Sequence, residues 1–79
     1  MTETEINIGL EIKTLIDERG IKVKWLAEQV GCDNSNLGKM LKNNHIYPEL
    51  LLKISIALKT NFFEQYYKAF LNSINKSNK

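Results

Sequence analysis

Apolar residues recur at intervals of three and four along most of this chain, and the breaks between those stretches fall on Gly, Asn, Asp and Pro. Ile8, Ile12, Leu15 and Ile16 form one such stripe, predicting a first helix from near Thr2 to about Arg19. Thr2 and Glu5 have capping-box spacing at its start, and Gly20 suits its C-terminal cap. Val23, Leu26, Ala27 and Val30 predict a second helix from about Lys22 to Val30. Its entry, Gly20-Ile21-Lys22, holds no Ser, Thr, Asp or Asn, so its first amides lack a side-chain cap. Gly31 then breaks the pattern, and Asp33 is placed to cap a third helix from about Asn34 to Asn43, whose inner face is Leu37, Met40 and Leu41.

Asn43-Asn44-His45 reads as a loop, and Pro48 suits the first position of a fourth helix, with Glu49 favourable beside it. Leu51, Ile54, Ser55 and Leu58 mark the inner face of that helix. Asn61 and Glu64 form a second cap-like pair, and Phe62, Phe63, Tyr66, Tyr67, Phe70, Leu71 and Ile74 carry a fifth helix over about 61–73. Residues 75–79 are expected to be a solvated, flexible tail. The pattern predicts an all-α fold, a compact bundle of about five helices in one domain over 1–74. A chain of 79 residues has room for one small core.

The segment VKWLAEQVGCDNSNLGKML, residues 23 to 41, is the feature that looks made for a partner. With its apolar positions turned inward, the third helix presents Asn34, Ser35, Gly38, Lys39 and Lys42 outward. A short helix with a small, polar and basic outer face, braced by a helix across it, can enter the DNA major groove. The uncapped start of helix 2, beside Lys22 and Lys24, either holds a phosphate or is satisfied by water.

Composition narrows the function classes. Hydrophobic residues make up 43%, and one Pro and four Gly interrupt them, as an all-helical fold requires. No apolar run is long enough to span a membrane, and the first residues do not read as a signal segment. The single cysteine, Cys32, excludes an internal disulfide and a multi-cysteine metal site, and suits a reducing cytoplasm. Cys32 is expected to be a buried, inert thiol, His45 a surface loop residue, and Trp25 to pack against a neighbouring helix. With one His, one Cys and scattered acids, no nucleophile–base or paired-carboxylate arrangement stands out. An enzyme, a metal site and a cofactor are therefore not expected.

The net charge of +2 is unevenly spread. Residues 1–20 carry five acids and two bases, whereas 21–60 carry six lysines and three acids. Positive charge gathers on the two-helix segment and after it, which favours a polyanionic partner.

At Leu26-Ala27, Gly31, Leu37 and Met40 the chain resembles the lambda-repressor-like helix-turn-helix domains of phage repressors and bacterial XRE-type regulators. Ala27 lets the two helices approach closely, and Gly31 tolerates the left-handed backbone of the turn. IKTLIDERG before the motif and PELLLKISIAL after it extend the likeness to roughly residues 8 to 66, with the motif itself at about 22–42. The resemblance implies base reading by Asn34, Ser35, Lys39 and Asn36, since Asn can read adenine and Lys can reach guanine. It implies phosphate contacts at Lys22, Lys24, Lys42, Asn43 and Asn44, which position the protein without reading sequence.

The chain departs from the family pattern in three places. Val23 stands where relatives usually carry a polar residue, and Gly38 lies inside the recognition helix, where glycine costs about 1 kcal/mol relative to alanine. An Arg in helix 1 that relatives pair with a Glu late in helix 3 falls here on Ile16 and Leu41. Both partners are apolar, which avoids an unpaired buried charge, and the two side chains are expected to pack together.

Leu52 and Ile56 stand four apart on helix 4, outside its inner stripe, and helix 5 carries more aromatics than one small domain can bury. Apolar surface on a small domain marks an interface. In resembling repressors this region builds a two-fold dimer. The expectation is a homodimer through Leu52, Ile56, Tyr66, Phe70 and Ile74, against the alternative that helix 5 folds back over helix 1. A dimer would set its recognition helices about 34 Å apart, one turn of DNA.

The sequence therefore reads as a cytoplasmic, nucleoid-associated regulator from a bacterium or phage, binding double-stranded DNA without a cofactor and acting as a repressor. The competing reading keeps the fold but binds another protein, in the manner of an antitoxin, through helices 4 and 5.

Overall fold

The computed structural model describes residues 6–77, with side chains through residue 75. Five helices follow one another, with no strand among the described residues: α1 (Ile8–Glu18), α2 (Val23–Val30), α3 (Asn34–Asn43), α4 (Pro48–Leu58) and α5 (Glu64–Ser77). Each of the first four contributes one apolar stripe to a single core. Ile8, Ile12 and Ile16 come from α1, Leu26, Ala27 and Val30 from α2, Leu37 and Leu41 from α3, and Leu50, Leu51, Ile54 and Leu58 from α4. The i, i+3 and i+4 spacing puts these side chains on one face of each helix, and α3 packs across both α1 and α2 while α4 packs on α2. Ile16 and Leu41, the apolar substitutes for a charged pair, are both buried in this core.

The first helix begins later than its sequence suggests. Asn7 holds a non-helical backbone (φ −99°, ψ 80°), and its side chain accepts a hydrogen bond from the Leu10 amide at 3.0 Å. Asn7, whose short side chain reaches the free amide of the first turn, therefore caps α1 at Ile8. Thr2 and Glu5, the expected capping box, lie outside the described residues. Three turns later α1 ends at Glu18, and Arg19 reaches across to α4, donating to the Leu58 carbonyl at 2.7 Å and to Thr60 Oγ1 at 3.2 Å. That contact satisfies a free carbonyl at the end of α4 with a charged donor.

The entry to α5 also differs from the expected 61–73. Asn61 Oδ1 accepts from the Phe63 amide at 3.0 Å, making a local turn instead of a helix cap. Phe62 is buried, and its amide donates to the buried Ser55 hydroxyl of α4 at 3.4 Å. This latch holds the chain against α4 for two more residues, so the helix opens at Glu64 and continues to Ser77. Asn75 to Ser77, expected in the tail, are helical, and the last two residues lie outside the described range.

Beyond the latch, α5 packs extensively on none of the other helices, and the molecule is elongated, 46 × 23 × 22 Å. Tyr66, Tyr67, Phe70 and Ile74 remain exposed, so α5 does not fold back to bury them within the monomer.

Candidate nucleic-acid interface

The two-helix unit is built by local chemistry. Lys22 is extended (φ −90°, ψ 149°) with no side-chain cap, so the first amides of α2 face outward unpaired by any side chain. Ala27 is buried, which permits the close crossing of α2 and α3. Gly31 takes the left-handed conformation (φ 71°, ψ 37°), and the Cys32 amide returns to the Ala27 carbonyl at 2.8 Å. Asp33, again extended, accepts from the Asn36 amide at 3.1 Å and starts α3. Leu37 and Leu41 anchor α3 from beneath, at 0% and 4% exposure.

This frame leaves Asn34, Ser35, Asn36 and Lys39 exposed on the outer side of α3, with Lys42 and Asn43 exposed at its end. Lys22 and Lys24 are exposed at the start of α2. Among the described residues the ion pairs are Lys13–Asp17 and Lys68–Glu64, so Lys22, Lys24, Lys39 and Lys42 pair with no described acid. The unit thus presents exposed polar side chains on α3 together with exposed lysines on α2 and α3.

Asn44 is placed otherwise than a phosphate ligand would be. It ends α3 in the left-handed conformation (φ 60°), and its amide group is used at both ends within the fold. Asn44 Oδ1 accepts from the Gly9 amide at 2.9 Å, and Asn44 Nδ2 donates to the Ile6 carbonyl at 2.9 Å. One side chain thereby ties the end of α3 to the first turn of α1. Beside it, Gly9 lies directly against the backbone of Leu41. Sequence reading missed both contacts, since neither a separation of 35 residues nor a glycine between Ile8 and Leu10 leaves a local signal. Asn44→Gly keeps the left-handed backbone but removes both bonds, and should lower the stability by about 1–2 kcal/mol in urea unfolding. Asn44→Ala adds backbone strain and should lie roughly 1 kcal/mol lower still.

Trp25 corrects a further expectation. It is 41% exposed instead of packed away, and with Lys22, Lys24 and Glu28 it lines a surface depression on α2. Its place on the helix, one step before buried Leu26 and Ala27, turns the ring away from the core. Cys32 is half-buried against the core, and His45 is exposed. No three His, Cys, Asp or Glu side chains gather into a metal-binding group among the described residues, nor is any helix among them long and apolar enough to cross a membrane.

The family model of the Cro/C1-type helix-turn-helix DNA-binding domain matches residues 11–64, well over half of the chain. The chain belongs to that family, and its fold and two-helix unit are those of a DNA-binding regulator. Comparison with curated proteins and with solved structures found no match.

Proposed function

We propose that this chain is a transcriptional repressor that binds a specific double-stranded DNA site as a homodimer, with α3 in the major groove. The outer face of α3 carries the reading: Asn34, Ser35, Asn36 and Lys39 are exposed together while Leu37 and Leu41 hold the helix from behind. Asn34 and Asn36 offer the paired donor and acceptor that suit adenine, Lys39 suits guanine, and Ser35 accepts either. Lys22, Lys24, Lys42 and Asn43 contact phosphates and set the register. Asn44 supports them by holding α3 in place. Repression follows from occupancy of the site, without catalysis or cofactor, in the cytoplasm of a bacterium or phage-infected cell.

Exposed apolar residues support the second copy. Leu52 and Ile56 are 51% and 66% exposed on α4, and Tyr66, Phe70 and Ile74 recur every four residues on the free helix α5. A depression lined by Ile46, Pro48, Leu51, Phe63 and Tyr66, with no charged side chain, extends this apolar surface.

Selection from a random duplex library at two salt concentrations tests the reading. A palindromic site with half-sites one helical turn apart is expected, bound with steep salt dependence. Sequence-blind retention counts against it. Leu52→Glu with Ile56→Glu should halve the sedimenting mass and weaken binding to the palindrome by roughly 100-fold through lost bivalency. An unchanged mass removes the proposed dimer. The same apolar surface also fits a different protein, such as a toxin. That reading predicts tight binding of the other protein with little salt-sensitive DNA affinity.

A further inference from the structure

Three of the four glycines have a reason within the fold. Gly20 and Gly31 sit at φ +71°, and Gly9 meets the Leu41 backbone. Gly38 has no such reason. It lies inside α3, its φ is not positive, and a Cβ built there meets nothing within 4 Å. A glycine in a helix interior costs about 1 kcal/mol relative to alanine, so the fold is weakened by a vacancy it does not use.

Gly38 borders a groove of about 390 Å³ where α1, the start of α2 and α3 converge. Leu10, Val23 and Leu41 supply an apolar lining, and Lys13 and Lys42 supply positive charge, with no acidic residue in the wall. Two other depressions carry acids, Glu28 beside Trp25 and Glu11 with Glu18 along α1, and the apolar one at Tyr66 carries no positive charge. Lys13 is engaged by Asp17 at 2.9 Å, but this pair is exposed and easily exchanged for a stronger anion.

We propose that this groove seats the sugar–phosphate backbone of one strand of duplex DNA, alongside the base-reading face of α3. Gly38 supplies the clearance that lets the strand approach α3. Leu10 and Val23 contact deoxyribose, and Lys13 and Lys42 bind the flanking phosphates. The inference rests on the DNA-binding reading and adds Leu10, Lys13 and Gly38 to the interface.

The test uses the full chain and a duplex recovered by selection, or random-sequence duplex if no site emerges, with affinity measured across salt concentrations. Gly38→Ala should raise the thermal midpoint yet weaken binding by about tenfold, the scale of one disrupted base-pair contact. Gly38→Leu should weaken binding further. Lys13→Gln should lower the slope of log affinity against log salt by about 0.9, the share of one phosphate. Wild-type affinity in both Gly38 variants, or an unchanged slope in Lys13→Gln, overturns the inference while leaving the DNA reading intact. A wild-type protein without salt-dependent duplex binding overturns the DNA reading, and this inference with it.

Discussion

Changing Asn34, Ser35 and Lys39 together to alanine will leave the protein folded and strip it of sequence preference. Among the described residues none of the three side chains makes a hydrogen bond or ion pair, and all are exposed. The Asp33 cap acts on the Asn36 amide, which the substitutions do not touch. Stability should therefore change by no more than about 0.5 kcal/mol, as at other unpartnered surface positions. Binding responds on another scale. A specific site exceeds random sequence by roughly 10³-fold or more in proteins of this kind, and direct base contacts supply that margin. The triple variant should lose the whole of it while Lys22, Lys24 and Lys42 keep a salt-sensitive residual affinity. Titration of the selected duplex against a scrambled one reads the ratio, expected to fall near one. A ratio that survives would mean that another surface reads the DNA.

Gly9→Ala should produce the largest change in stability. The new methyl would overlap the Leu41 carbonyl oxygen and lie 2.9 Å from the carbonyl carbon and 3.2 Å from the Cα. Backbone atoms cannot turn aside as a side chain would, so α1 must lift from α3. Overpacking of this kind costs about 2–3 kcal/mol, even after alanine's better helix propensity is counted. For a domain this small, the thermal midpoint should drop by roughly 15 °C. Gly38→Ala, the same chemical change on the neighbouring helix, should move the midpoint the other way. Thermal denaturation of the two variants side by side tests the pair, and equal shifts would refute the close approach at Gly9.

What could be read from the sequence was local. The bounds of α3 at Asn34 and Asn43 follow from the Asp33 cap and the polar residues after Leu41, all within a few positions of the helix they define. Gly31, Ala27 and Pro48 likewise act on their own turns, and Leu52 and Ile56 lie outside the inner stripe by simple periodicity. Contacts between distant elements were not legible. Periodicity places Ile8 and Ile12 on a buried face but does not tell that Gly9 carries the nearest approach of another backbone. Asn44 looked like a loop residue free for phosphate because its partners, Ile6 and Gly9, lie on a different helix entry. The late start of α5 has the same origin, since Ser55 engages the Phe62 amide from another helix. For the candidate interface, residue types and their side of α3 could be read, whereas the groove beside Gly38 exists only once three helices meet.

The free run of α5 after the Phe62 latch has an evolutionary consequence. A segment that carries little of the core can be lengthened, shortened or replaced with few structural repercussions for the reader helix. Under the proposed function, the assembly surface and the reading face are then largely separable, the first running from Leu52 and Ile56 of α4 onto the projecting rod, the second carried by four outward side chains of α3. A lineage built this way can change partners without relearning its target, and change its target without losing its partners.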